Sequence, residues 1–253
     1  QTGKESLEAQ RAAGYDLTML FGIRNFYHRF GYVRAWAESS WVLRTEHLPP
    51  ELPRVALEEY TGAWDDEFAE LYNAQNARAT ATAVRPTYLA SFHPDWKAYQ
   101  WRGATGAVAG YVMVAAGDDT LTVHEHVGPT DEILAAVSAL SREHWCRTLR
   151  FRGVPYHSDL CRRLRQGTVL REQKYVRNGG ATVHTLNLRT TLNKLTHELG
   201  RRLAASPYAG WTGLLAVQDT QQEVCLTIEN GTVRVVDPSE TPHAVRGGEE
   251  IAQ

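Results

Sequence analysis

An α+β fold, with mixed sheets flanked by helices, is predicted by three features of this sequence. Segments with strand-like alternation are interleaved with segments of helical periodicity along the whole chain. The order helix, strand, short helix, strand occurs twice, first within residues 1–48 and again within residues 53–179. From residue 180 onward, one helix precedes a meander of alternating strands in which Asn230-Gly231 is a strong hairpin signal. At 253 residues and 43% hydrophobic, the chain can bury a substantial core.

Residues 5–13 (ESLEAQRAA) are helix formers closed by Gly14, the usual left-handed stop. Residues 15–21 (YDLTMLF) carry apolar side chains on both alternating faces, which suits a strand covered on both sides. Asn25 can cap a short helix through Arg29, Gly31 can end it, and residues 32–43 then alternate as one or two strands. The proline-rich connector at 48–53 (LPPELP) marks a boundary. Beyond it, residues 65–79 place Phe68, Leu71, Tyr72 and Gln75 at helical spacing, and residues 110–116 and 121–127 read as strands paired around Gly117-Asp118-Asp119. A helix at 131–147, a strand at 148–151, a helix at 158–164 stopped by Gly167 and a strand at 173–176 complete this part. Then follow a strand at 181–188, a helix at 190–204, and strands at 211–217, 223–229 and 232–236.

Composition excludes several classes. A net charge of −2 with 22% charged residues is too balanced for a disordered chain and removes the simplest argument for a nucleic-acid or anionic-membrane protein. The longest weakly polar stretch, residues 106–117, is short of the ~20 residues that a spanning helix needs. No signal peptide is visible in a sequence that begins at Gln1. Cys146, Cys161 and Cys225 form no CxxC pair, so neither a zinc knuckle nor a disulfide framework is indicated, and a cytoplasmic location fits.

The most specific segment is residues 14–32, GYDLTMLFGIRNFYHRFGY. Read from composition alone, it is a buried aromatic cluster on a short helix and a strand. It also resembles the closing part of a Gcn5-related N-acetyltransferase (GNAT) core, in which a strand leads to an Asn-containing turn, a short N-x-Y helix and an aromatic-Gly-aromatic step. The form LFG…FY-x-RFGY is most similar to the Eis-type (enhanced intracellular survival) branch. The resemblance implies Tyr27 as the general acid that protonates the departing coenzyme A thiolate, and Asn25 as a polar contact to acetyl-CoA, with no metal. The family's pyrophosphate loop is not evident, because only Gln1-Thr2-Gly3-Lys4 stands where it is expected. The strands that bind the acceptor amine in the family are also not in the sequence. A strand apolar on both faces needs covering layers, so either the native chain extends upstream of Gln1 or a partner completes the sheet.

The resemblance extends to the whole chain and divides it into three. Residues 1–48 are similar to the C-terminal part of a first GNAT domain, residues 53–179 to a degenerate second copy without the cofactor loop, and residues 180–253 to an incomplete sterol-carrier-like domain. In the second part, His124, Glu125 and His126 tempt a metal assignment, but alternation puts Glu125 opposite the two histidines and no third ligand is evident. Residues 150–177 hold a basic excess interleaved with Phe151, Tyr156 and Tyr175, a composition that binds single-stranded nucleic acid or a phosphate-bearing ligand, or more often forms a solvated helix face. The implied activity is acetyl transfer from acetyl-CoA to a primary amine of a small molecule or protein by direct attack, and the family is often homo-oligomeric. The competing reading is a non-catalytic scaffold that binds lipid, peptide or nucleic acid.

Overall fold

The computed structural model describes residues 2–61, 66–77, 79, 82–85, 95–219, 221–237 and 245–246. The chain opens with α1 (Thr2–Ala12), stopped at Gly14 with φ +81°, then β1 (Leu17–Gly22), a 3-10 helix (Tyr27–Phe30), β2 (Val33–Arg34) and β3 (Glu38–Arg44). Next come β4 (Glu58–Tyr60), α2 (Asp66–Asn76), β5 (Lys97–Arg102), β6 (Val108–Ala116) and β7 (Thr120–Val127). Of the helix expected at 65–79, Asp65 and Arg78 lie outside the described residues. The run continues through α3 (Thr130–Glu143), β8 (Thr148–Arg152), α4 (Asp159–Leu164), β9 (Leu170–Lys174) and β10 (Gly180–Thr185). Last are α5 (Leu188–Ala204), β11 (Gly213–Gln218), β12 (Glu223–Glu229), β13 (Thr232–Val236) and β14 (Val245–Arg246). The fold class is therefore the expected one, mixed sheets flanked by helices, but β4 and β5 are strands that periodicity alone does not announce.

The described residues form two compact units, one made of residues 1–38 with 174–253 and the other of residues 39–173. The second is a seven-stranded sheet in the order β4-β5-β6-β7-β8-β3-β9. The pairs β4–β5, β5–β6, β6–β7 and β3–β8 are antiparallel, whereas β7 and β8 run parallel across the crossover helix α3. Both faces are buried. Val112, Val114, Leu121 and Val123 pack with Ile133, Leu134, Val137 and Leu140 of α3, whereas Tyr111, Met113 and Val127 pack with Phe68 and Ala69 of α2. That double burial is why β6 reads as a nearly continuous apolar run, GYVMVAA. Each of these large side chains contributes about 1.5–3 kcal/mol of transfer free energy.

The other unit holds a three-stranded sheet, β1-β10-β2, and a four-stranded sheet, β13-β12-β11-β14. Leu188 and Leu192 of α5 close over Val217, Val224, Leu226, Ile228 and Val233. At the hairpin between β12 and β13, Asn230 (φ 50°) and Gly231 (φ 77°) both take the left-handed conformation that a two-residue turn demands.

The repeated order noted in the sequence has a topological counterpart. β1, the 3-10 helix, β2 and β3 form one run, and β8, α4, β9 and β10 form the other. The last strand of each run inserts between the first two strands of the other, so β3 separates β8 from β9 and β10 separates β1 from β2. β1 is consequently an edge strand. Its alternate side chains Leu17, Met19 and Phe21 are 44%, 53% and 76% exposed, so among the described residues the strand is covered on one face rather than on both as expected.

Candidate functional site

The segment 14–32 builds its geometry from local chemistry and one distant clamp. After β1, Asn25 adopts φ +61°, a left-handed conformation that Asn tolerates better than most residues. It is held there from 153 positions away: the Asn25 N–H donates to the Asn178 carbonyl at 2.8 Å, and Asn178 Nδ2 donates to Asn25 Oδ1 at 3.0 Å. Asn25 therefore does not cap the helix as expected; Phe26 takes the N-cap position with no side-chain bond. Gly31, at φ +84°, ends the helix as expected, with its N–H donating to the His28 carbonyl.

Tyr27 is half-buried on the first turn of this helix, and its ring lies so close to Gly22 that a Cβ there would stand 2.8 Å from Tyr27 Cδ2. Edge-on contacts with Phe26 at 5.0 Å and Tyr32 at 5.8 Å fix the ring from two further sides. No described residue hydrogen-bonds the Tyr27 hydroxyl. The rings pack together as the aromatic cluster that composition suggested, with Tyr32 at its buried end. Sequence reasoning missed His184, on β10. This buried imidazole meets the Gly31 carbonyl at 3.0 Å through Nδ1 and packs on Tyr32 at 5.5 Å, while Tyr32 in turn shares a 3.1 Å hydrogen bond with Thr18 Oγ1. Only the pairing of β10 with β1 and β2 brings it there.

A groove of about 330 Å³ borders the same short helix, lined among others by Lys4, Glu8, Arg11, Arg29 and His184. Arg11 is oriented by the Leu186 carbonyl at 3.1 Å and Gln221 Oε1 at 3.2 Å. Neither Lys4 nor Arg29 makes an ion pair with a described residue. Of the tetrapeptide 1–4, Gln1 lies outside the described residues, whereas Gly3 sits in α1 against the Phe30 ring. Three cations around one opening, against the single carboxylate of Glu8, favour an anionic ligand.

The other candidate clusters resolve differently. A β-bulge at the β6–β7 pairing shifts the register between Met113 and Val114. Glu125 consequently falls on the α2 face with Met113, and His124 stacks at 4.0 Å on Trp96, which packs on that same face, whereas His126 lies opposite against Phe151. Simple alternation, which grouped the two histidines, is broken by the extra residue. Glu125 instead accepts from Tyr111 Oη at 2.7 Å and from both Arg85 terminal nitrogens at 2.7 and 2.6 Å, and the Arg85 guanidinium lies 3.7 Å over the Tyr72 ring. Burial, reinforced by the Glu125 charge, raises the Tyr111 phenol far above its ordinary range, so it acts as a hydrogen-bond donor to a structural ion pair. Among the described residues no three His, Cys, Asp or Glu side chains converge as metal ligands. No helix there is long and apolar enough to cross a membrane.

Compared with known proteins, the chain has the fold of the GCN5-related N-acetyltransferases. It superimposes on such an enzyme from Anabaena variabilis with a TM-score of 0.67 at 14% identity, over 98% of this chain and 65% of that one. A probable N-acyltransferase from Enterococcus faecalis V583 gives 0.66 at 16% identity, over 99% of this chain and 65% of that one. Eis1 from Mycobacterium abscessus gives 0.59 at 16% identity, again over 99% and 65%. The chain thus spans somewhat less than two thirds of the length of these structures. No family model and no curated protein sequence matches it.

Proposed function

We propose that the chain belongs to an Eis-like N-acetyltransferase that moves an acetyl group from acetyl-CoA to a primary amine. The observation that carries this reading is the Tyr27 phenol, rigidly held by Gly22, Phe26 and Tyr32, with no described partner for its hydroxyl and on the same short helix whose Arg29 and Phe30 line the cationic groove. The amine nitrogen attacks the thioester carbonyl directly, the tetrahedral adduct collapses, and the carbon–sulfur bond breaks. Tyr27 supplies the proton that the leaving thiolate takes up, the proton shed by the amine nitrogen passes to water and a proton from water restores the phenol, and no covalent enzyme intermediate or metal is involved. Lys4, Arg11 and Arg29 suit the phosphates of the coenzyme, and Asn25 keeps its Nδ2 donor for a cofactor contact while its Oδ1 is engaged by Asn178. The acceptor is a small-molecule or protein amine. In this reading residues 1–48, 53–179 and 180–253 descend from a first GNAT domain, a degenerate second copy and a sterol-carrier-like domain.

Calorimetric titration with acetyl-CoA, followed by turnover with a panel of primary amines, tests the proposal. Tyr27→Phe is expected to keep cofactor affinity within about twofold and to lower turnover about a hundredfold. Equal turnover of variant and parent removes Tyr27 from the mechanism. A folded chain that does not bind acetyl-CoA favours the non-catalytic scaffold.

A further inference from the structure

The basic strip of residues 150–177 is only partly neutralised by carboxylates. Arg150 pairs with Glu172 and Ser40, Arg162 with Asp159, and Arg163 with Asp131. Arg165, at the end of α4, and Arg171, on β9, have no carboxylate partner among the described residues. Both guanidiniums instead lie against one phenol ring, that of Tyr156, at 5.4 and 5.5 Å from its centroid, and Arg171 also lies 5.6 Å from the Trp41 ring. Arg165 Nη1 donates to Tyr156 Oη at 3.4 Å. Trp41, Tyr156, Arg165, Gly167, Val169 and Arg171 enclose a concavity of about 310 Å³.

Two like charges gathered on one aromatic ring repel each other, and an anion between them relieves that repulsion while offering each guanidinium a fork-shaped pairing. The buried Cys161 thiol responds to the same field: burial raises its pKa, and both Arg165 and Arg171 act to lower it. The size of the concavity is at the lower end for a small-molecule site, roughly 300–1,000 Å³, and its aromatic wall suits a planar ring. We infer that this concavity binds a small phosphate ester carrying a planar ring, of which a nucleoside monophosphate is a simple case, with Arg165 and Arg171 on the phosphate and Tyr156 and Trp41 beside the ring. The site lies wholly within the unit of residues 39–173 and is separate from the groove beside Tyr27.

The probes are AMP and inorganic phosphate, titrated into the full chain by calorimetry. AMP is expected to bind saturably and more tightly than inorganic phosphate. Arg165→Gln and Arg171→Gln, both exposed positions, are each expected to weaken AMP at least about tenfold with the thermal midpoint unchanged, and Tyr156→Ala to erase the advantage of AMP over phosphate. Acetyl-CoA affinity of the Arg165→Gln/Arg171→Gln double variant separates this site from the proposed acetyl-transfer site, because it is expected to equal that of the parent. The inference is overturned by the absence of saturable AMP binding, or by AMP binding that the double variant leaves unchanged. It is equally overturned if a 5′-phosphorylated oligothymidylate binds more tightly as it lengthens, which would assign the arginines to a single-stranded nucleic-acid surface.

Discussion

His126 shows how one buried side chain couples the sheet to pH. Its Nδ1 has no hydrogen-bond partner among the described residues, and burial holds its pKa down to about 4. In the unfolded chain the same imidazole titrates near about 6.5. As pH falls below that value the unfolded state takes up the proton first, so the stability contribution is intact above about 6.5 and is lost progressively toward about 4. With about 1.4 kcal/mol per pH unit, the loss reaches about 3 kcal/mol. His126→Leu keeps an apolar side chain against Phe151 and removes the titration. Urea unfolding between about pH 7 and 4 is expected to show a shallower fall for the variant than for the parent; parallel curves would mean that His126 is already hydrated or paired. Tyr27 works by a different residue-scale device, in which an absent Cβ at Gly22 lets the phenol ring settle against the backbone.

At the scale of elements, the two inserted strands decide which neighbours exist. β10 is the centre of its sheet, with Thr182 paired to Leu20 on one side and to Arg34 on the other. Thr182→Pro removes an N–H from the middle of this ladder and is expected to destabilise by about 3 kcal/mol or more. Thr182→Val forfeits only the hydroxyl bond to the Leu20 carbonyl, about 1 kcal/mol. Denaturant midpoints that rank the two variants equally would show that β10 is not central. The same central strand carries His184, so Thr182→Pro also loosens the support under Gly31 and Tyr32.

At the scale of the molecule, the strand exchange determines which stretches of chain fold alone. Residues 39–173 retain all seven strands of their sheet except the end residues Glu38 and Lys174. Residues 53–179, the segment proposed to descend from a second GNAT copy, lack β3 and leave β8 and β9 without the strand between them. The 39–173 fragment is therefore expected to unfold in one cooperative transition with slow amide exchange through β6, β7 and β8. The 53–179 fragment is expected to lose protection in β8 and to aggregate through its open edge. Equal protection in both fragments would show that β3 is dispensable.

What the sequence by itself determined is what short-range chemistry controls. The amphipathic helices α3 and α5, the hairpins β6–β7 and β12–β13, the stops at Gly14 and Gly31, and the short helix around Tyr27 all follow from contacts within a few residues, and each was legible. β5 was not, because KAYQWR buries a polar Gln100, bonded to Glu58, where alternation predicts an outward side chain. Tertiary structure alone decided the partners of β1, β3 and β10, the clamp of Asn178 on Asn25, the His184 support and the meeting of Trp41 with Arg171. Each joins residues more than a hundred positions apart, where periodicity carries no information about which edge a strand will find. The same limit hid the bulge that parts His124 from His126, since one extra residue reverses every facing after it.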